Sequence, residues 1–426
     1  MLFETTSYLI EKFATVRNQT IALIEPLEAE DFIIQASSDV SPPKWHIAHT
    51  TWFFERMILQ EYSENYQVFH PKYNYLFNSY YNSIGPYQPR QQRGMLSRPT
   101  VEDIIAYRAY VDGQMIEFLK EERIPEDQRK IEALVEMGLQ HEQQHQELIL
   151  MDVKYNFFTN PLLPAYQSKS LELDVPENAL METSFIPFEE GLVEIGHTGD
   201  GFAFDNESPR HKTWLHPFEL ATRPVTNGEY LAFIEAGGYE KSEYWLSDGF
   251  ATVQKEGWKA PLYWMKDDAG EWTIFTMNGV EPLRLDEPVC HVSFYEADAY
   301  SRFKGKRLPT EAEWEWASRQ VDSVTKRNMM GNGTFHPVVV KESETTLASM
   351  FGNVWEWTSS PYSSYPGSKP LEGALGEYNA KFMCNQMVLR GGACVTPDDH
   401  IRETYRNFFP PDKRWLFGGF RLAGDM

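Results

Sequence analysis

Cysteine is scarce: Cys290, Cys384 and Cys394 are the only ones in 426 residues. Three thiols cannot build a disulfide framework, and such usage suits a reducing cytoplasm. The chain opens Met-Leu-Phe-Glu-Thr-Thr-Ser, without a basic stretch followed by an apolar core, so no signal peptide is expected. No apolar run approaches the ~20 residues that span a bilayer, so no membrane segment is expected. Positive charge is short as well. Lys and Arg total 39 against 62 Asp and Glu, a net charge of -23. Such a surface does not neutralise phosphates, which argues against nucleic acid as a partner, and it disfavours an anionic membrane. A small substrate with a permanent positive charge is compatible with it. The length allows two or three domains, and association into a homo-oligomer stays open.

What is present divides in two. Residues 1–165 read as helices. Leu9, Phe13, Val16, Thr20 and Leu23 fall at alternating spacings of four and three, one apolar stripe. Ser41-Pro42-Pro43 announces a second helix, with Ser41 as cap candidate, which carries Trp45 to Glu55. Thr100-Val101-Glu102-Asp103 opens a third, and Pro125-Glu126 a fourth that ends before Asn160-Pro161. Four helices with one long connection predict a bundle. The connection, Tyr73 to Arg98, is rich in Tyr, Asn, Gly, Pro and Arg and lacks helical periodicity. Loops of that length are more often functional than incidental. Residues 166–185 read as a linker. From 186 to 426 short strands alternate with turns, and only Ser293 to Phe303 and Thr310 to Ser318 read as helices. An irregular α+β domain is expected there.

His141 and His145 stand in the string HEQQH within the fourth helix. Residues four apart lie one turn above each other, so both rings can reach one metal ion. The spacing is that of zinc metalloproteases, with Glu142 as base. That reading fails downstream. Gln146-Glu147-Leu148-Ile149-Leu150-Met151 supplies neither the glycine nor the third histidine of the extended motif. Glu142 then reads as a solvated face residue. A third ligand can come from a facing helix, where His46 and His49 compete and periodicity does not choose between them. Three imidazoles on one face leave positions open, which suits catalytic zinc or open-shell iron.

The second half carries the more specific text. Gly305-Lys306-Arg307-Leu308-Pro309-Thr310-Glu311-Ala312-Glu313-Trp314-Glu315-Trp316-Ala317 is followed by Gly352-Asn353-Val354-Trp355-Glu356-Trp357-Thr358, Leu389-Arg390-Gly391-Gly392 and Phe417-Gly418-Gly419-Phe420-Arg421-Leu422. Tryptophan and glycine at this density read as core and tight turns. The order of these strings resembles the formylglycine-generating-enzyme (sulfatase-modifying factor) domain, a C-type-lectin-like fold. That parent activity needs a cysteine pair after the RGG segment, and His400 to Arg406 contains none.

The first half resembles a DinB-type four-helix bundle, and the combination resembles the ergothioneine-biosynthesis sulfoxide synthases. Trp45-His46-Ile47-Ala48-His49-Thr50-Thr51-Trp52-Phe53-Phe54-Glu55, His141 to Glu147 and Tyr405-Arg406-Asn407-Phe408-Phe409 carry the likeness over essentially the whole chain. It implies non-haem iron(II) on His49, His141 and His145, and so selects His49 over His46. It implies coupling of a thiol to C2 of the imidazole of N-α-trimethylhistidine with O₂, leaving a sulfoxide. Gln144 would bond the substrate imidazole, and Asn407 and Phe408 would contact the trimethylammonium group. An aromatic wall of Phe408 or Phe409 suits a cation that donates no conventional hydrogen bond.

The thiol follows from departures between branches of that family. Where the branch using γ-glutamylcysteine has an acidic residue and, four residues on, an arginine, this chain has Phe409 and Lys413. Its catalytic tyrosine aligns with Leu375, with only Tyr378 nearby. The string Asn78-Ser79-Tyr80-Tyr81-Asn82 instead resembles the branch that takes free cysteine. Tyr80 and Tyr81 are then the candidate proton donors, and Arg90 and Arg93 would hold the cysteine carboxylate. Coupling with γ-glutamylcysteine, ovothiol- or selenium-type coupling, a zinc hydrolase and a metal-stabilised binding protein remain the alternatives.

Overall fold

The computed structural model describes residues 2–168, 183–320, 327–340 and 346–426; most of the expected linker, 169–182, lies outside them. The chain forms two compact units, Met1–Gln167 and Ser168–Met426.

In the first unit, α1 (Leu2–Ile24) buries the whole stripe from Leu9 to Leu23. Helix α2 (Pro43–Phe54) is buried along its entire length, so each of its polar side chains needs a partner inside the protein. Lys44, for example, gives its ammonium protons to the carbonyls of Leu96 and Pro99. Ser41 does not cap this helix. Pro42 occupies the cap position without a side-chain bond, while the Ser41 amide donates to Asp152 and its hydroxyl accepts from Arg93. Past Phe54 the helix widens into a π-turn, Glu55–Leu59. The buried Glu55 carboxylate there accepts from Tyr66, Tyr107 and the Phe69 amide.

The connection 73–98 is more ordered than its composition indicates. It holds a short helix, α3 (Tyr73–Phe77), and a 3-10 stretch, Arg90–Met95. Neither is long enough to show a period of 3.6. Helix α4 (Val101–Lys120) begins in a capping box of Thr100 and Asp103. Helix α5 (Pro125–Phe158) has 34 residues and starts with proline at its first turn. Gly138 lets α5 approach α2: a Cβ there would lie 2.6 Å from the Phe54 ring.

The second unit contains β1 (Phe185–Phe188), β2 (Gly191–Ile195), β3 (His211–Leu215), β4 (Phe218–Ala221), α6 (Asn227–Glu235), α7 (Ser247–Glu256), β5 (Trp264–Lys266), β6 (Trp272–Thr276) and β7 (Gly279–Pro282). These are followed by α8 (Phe294–Phe303), α9 (Glu311–Ser318), β8 (Trp355–Pro361), β9 (Met387–Arg390), β10 (Asn407–Phe409), β11 (Gly418–Gly419) and β12 (Ala423–Asp425). The sheets run β1-β4-β12, β10-β9-β8-β11, β2-β3 and β5-β6-β7. Helices α6 and α7 were not expected. They are short, although Thr226 and Glu229 form a capping box that announces α6.

The motifs of this unit are tied to one another by buried charge as well as by tryptophan packing. Glu356 of β8 accepts from Trp314 of α9 at 2.7 Å and from Arg421 at 2.6 Å. Glu315 pairs with Arg390 at 2.7 Å, and Glu311 with Arg406 at 2.9 Å. Gly391 has φ +96° and passes so close to the Met350 carbonyl that a Cβ would lie 2.4 Å from it. Arg390, Arg406 and Arg421 each answer a glutamate of another string, whereas Arg307 pairs with Glu313 of its own.

Candidate metal centre

His49, on α2, and His141 and His145, on α5, place their ligating nitrogens within 4.8 Å of one another, all buried. Among the described residues this is the only group of three or more His, Cys, Asp or Glu side chains so arranged. Burial pushes all three imidazoles well below their ordinary range, His141 to about 3. At neutral pH they are therefore uncharged, the form in which imidazole binds a metal. The donor set fits a divalent transition metal, with three neutral nitrogens and no thiolate.

The surroundings set how the rings are held. The His49 Nδ1 faces the Phe77 carbonyl at 2.6 Å. A carbonyl only accepts, so Nδ1 carries the proton and Nε2 keeps the lone pair, an assignment from the partner's chemistry. His49 stacks with Trp45 and Trp52, centroids 4.6 and 5.5 Å away. Both indoles are anchored in turn, Trp45 Nε1 to the Leu76 carbonyl and Trp52 Nε1 to Asn74. Helix α3 thus holds His49 and both of its neighbours. His46, the rival ligand, is not in the group. Its Nδ1 lies 2.7 Å from His145 Nδ1, and its Nε2 3.0 Å from Asp152 Oδ2.

Glu142 is not a solvated face residue. It is fully buried and pairs with Arg17 at 2.7 Å, with Arg108, and with the Thr20 hydroxyl at 2.6 Å. Burial alone would raise its carboxyl, but Arg108 and Arg17 outweigh that and hold it at about 2. A carboxylate so pinned is a poor base. It locks α1, α4 and α5 together behind His141.

The other expected residues fall in both units. In the helical unit, Tyr81 is fully buried, and its ring lies 5.7 Å from Trp52 and 4.6 Å from Tyr80. Asn78 fixes this loop. Its carbonyl oxygen accepts from the Tyr81 amide at 3.0 Å, and its amide donates to the carbonyls of Tyr81 and Gly85. Arg93 is buried, stacks over Trp45 at 3.3 Å and donates to the hydroxyls of Ser41 and Ser79. Among the described residues no carboxylate lies within ion-pair distance of it. Arg90 is exposed and donates to the Asp39 carbonyl. Gln144 sits on α5, half-buried between the two ligand histidines in sequence.

In the second unit, Asn407, Phe408 and Phe409 form β10 and are all half-buried. Phe408 stacks on Tyr362 at 4.0 Å, and Phe409 meets Trp415 edge-on at 5.5 Å. Lys413 pairs with Asp412. Leu375 lies in the turn Gly373–Glu377, and Tyr378 is buried against Phe204. The sequence reading missed Asp152, Trp45, Trp52 and Asn78. Asp152 had a signal, since it stands seven residues after His145 and so on the same face of α5.

A helical bundle with a buried three-histidine group, joined to a lectin-like domain, defines the class. Residues 12–149 match the DinB superfamily, and residues 172–426 match the sulfatase-modifying factor enzyme 1-like domain. The hercynine oxygenase of Mycolicibacterium smegmatis is 30% identical over 98% of this chain and 99% of its own. That of Mycobacterium tuberculosis is 30% identical over 97% of each. The ergothioneine biosynthesis protein 1 of Schizosaccharomyces pombe is 28% identical over 52% of this chain and 27% of its own. This chain belongs to the hercynine oxygenase family.

Proposed function

We infer that this protein is a sulfoxide synthase of ergothioneine biosynthesis, in which iron(II) is held by His49, His141 and His145. It joins a thiol to C2 of the imidazole of N-α-trimethylhistidine, consumes O₂ and leaves a sulfoxide. The observation that carries this is a group of three buried, neutral imidazoles in a chain that aligns end to end with hercynine oxygenases. When bound, the metal would activate oxygen and gather the substrates at one point. The protein's part is to orient, to exclude water and to deliver a proton. Gln144 bonds the substrate imidazole. Tyr81 or its neighbour Tyr80 donates the proton.

Free cysteine is the thiol. A buried arginine whose hydrogen bonds among the described residues go to hydroxyls suits a small α-carboxylate, and Arg93, stacked on Trp45, meets that description, with Arg90 near it. Phe409 and Lys413 offer no equivalent to the polar anchor needed for a dipeptide. The reaction belongs in the cytoplasm, where a free thiol stays reduced. Protein loaded with iron(II) without air, then given trimethylhistidine, O₂ and either thiol, is expected to form the C2 sulfoxide with higher kcat/KM for cysteine. A preference for γ-glutamylcysteine would overturn the choice of thiol, and no coupled product with either would overturn the function.

A further inference from the structure

We propose that His46 and Asp152 are positioning residues that hold His145 in the one tautomer able to bind the metal. This rests on reading His49, His141 and His145 as ligands. The two Nδ1 atoms of His46 and His145 lie 2.7 Å apart in a buried setting, and one proton fits between them. If that proton sits on His46, then neutral His145 carries its own proton on Nε2 and has no lone pair there for a metal. If it sits on His145, the Nε2 lone pair is free, and His46 must accept at Nδ1 and carry its proton on Nε2. Asp152 enforces the second arrangement. Its Oδ2 lies 3.0 Å from His46 Nε2 and also accepts the Ser41 amide at 2.7 Å. An ionised carboxylate only accepts, so the proton on His46 faces it.

The direction of every bond in the row Ser41 N–H, Asp152, His46, His145 is therefore fixed from its far end. His49 reaches the same state through the Phe77 carbonyl. Two ligands from different helices are thus preset by two unrelated acceptors, so at His49 and His145 no proton has to move before metal enters. His46 is held against Trp45 edge-on at 5.7 Å, and Asp152 shares helix α5 with His145. The ring and its anchor are rigidly mounted on the two ligand-bearing helices.

Cobalt(II) titration of the full-length, metal-free protein tests this, with affinity read by chelator competition and the visible spectrum recorded. Asp152→Leu, which removes the acceptor, and His46→Phe are expected to weaken cobalt binding by about 10–100-fold and to shift the visible bands. His46→Asn puts an amide oxygen near the place of Nδ1, where it can accept from His145, and is expected to return affinity to within a few-fold of the parent. Circular dichroism of each metal-free variant separates misfolding from loss of tautomer control, and Asp152→Leu and His46→Asn decide the matter if His46→Phe does not fold. Folded variants that bind cobalt like the parent would overturn the proposal, as would a His46→Asn variant no better than His46→Phe. A parent protein that binds no cobalt at the three histidines would overturn both this and the reading of the ligands.

Discussion

Glu142 shows how far a motif can mislead about a single residue. In HEQQH it holds the place of a protease base, yet the fold buries it between Arg17 and Arg108. Removing its charge leaves the buried Arg108 without its ion pair and Arg17 with Asp112 alone. Glu142→Gln is expected to destabilise the metal-free helical unit by roughly 3–5 kcal/mol, the usual cost of breaking a buried pair from one side. Denaturant unfolding measures it, and a change below about 1 kcal/mol would show that the cluster is solvated. The tyrosine pair carries the opposite expectation. Tyr81→Phe removes one hydroxyl from a fully buried ring beside Trp52. It is expected to lower kcat by about 10²-fold or more, the range for a lost proton donor, with cobalt affinity unchanged. Tyr80→Phe, in the half-buried neighbour, is expected to do less. Equal loss in both variants would assign the proton elsewhere.

At the scale of elements, the centre depends on the close approach of α2 and α5, and Gly138 permits it. Alanine is the better helix former by about 1 kcal/mol. Its methyl group would nonetheless meet the buried Phe54 ring at 2.6 Å, and Phe53 at 3.0 Å. Gly138→Ala is therefore expected to lower the melting temperature, since overpacking costs about 1–3 kcal/mol. It is also expected to weaken metal binding, because His141 stands one turn further along α5. A rise in melting temperature would mean that the helices part without cost. The long helices were legible from the apolar period in α1, the capping box of α4 and the prolines at the first turns of α2 and α5. Helix α3 was not, since five residues show no period. Its value lies in backbone carbonyls that receive His49 and Trp45, and carbonyls leave no trace in sequence. Helices α6 and α7 were missed although they are as long as α8 and α9, and the capping box of Thr226 and Glu229 was there to be read.

For the whole molecule, the buried neutral histidines link stability to pH. Burial depresses the imidazoles of His49, His141 and His145 in the folded state, whereas the unfolded chain protonates near pH 6.5. The stability they allow is fully present above that pH and is lost as the pH falls below it. The loss is on the order of 1 kcal/mol per histidine per pH unit. Between pH 6.5 and 5 the Glu142 carboxylate contributes no such slope, because its folded value lies at about 2 and the unfolded one near 4.3. Calorimetry of metal-free protein is expected to show the transition that metal shifts moving down between pH 7 and 5. An unchanged transition would mean that the rings are solvated.

The ligand spacing, the fold class and the family resemblance were all readable in the chain. The partners of Glu142 and the role of His46 were not, because they depend on helix packing that brings together residues 34 to 125 positions apart in the chain. The central claim is that these histidines hold an iron that couples a thiol to trimethylhistidine. Oxygen uptake tests it most directly, in anaerobically iron-loaded protein given trimethylhistidine and cysteine. Uptake that requires both substrates, yields the C2 sulfoxide and disappears in His49→Ala is expected. Uptake independent of trimethylhistidine, or coupling that survives His49→Ala, would contradict the account.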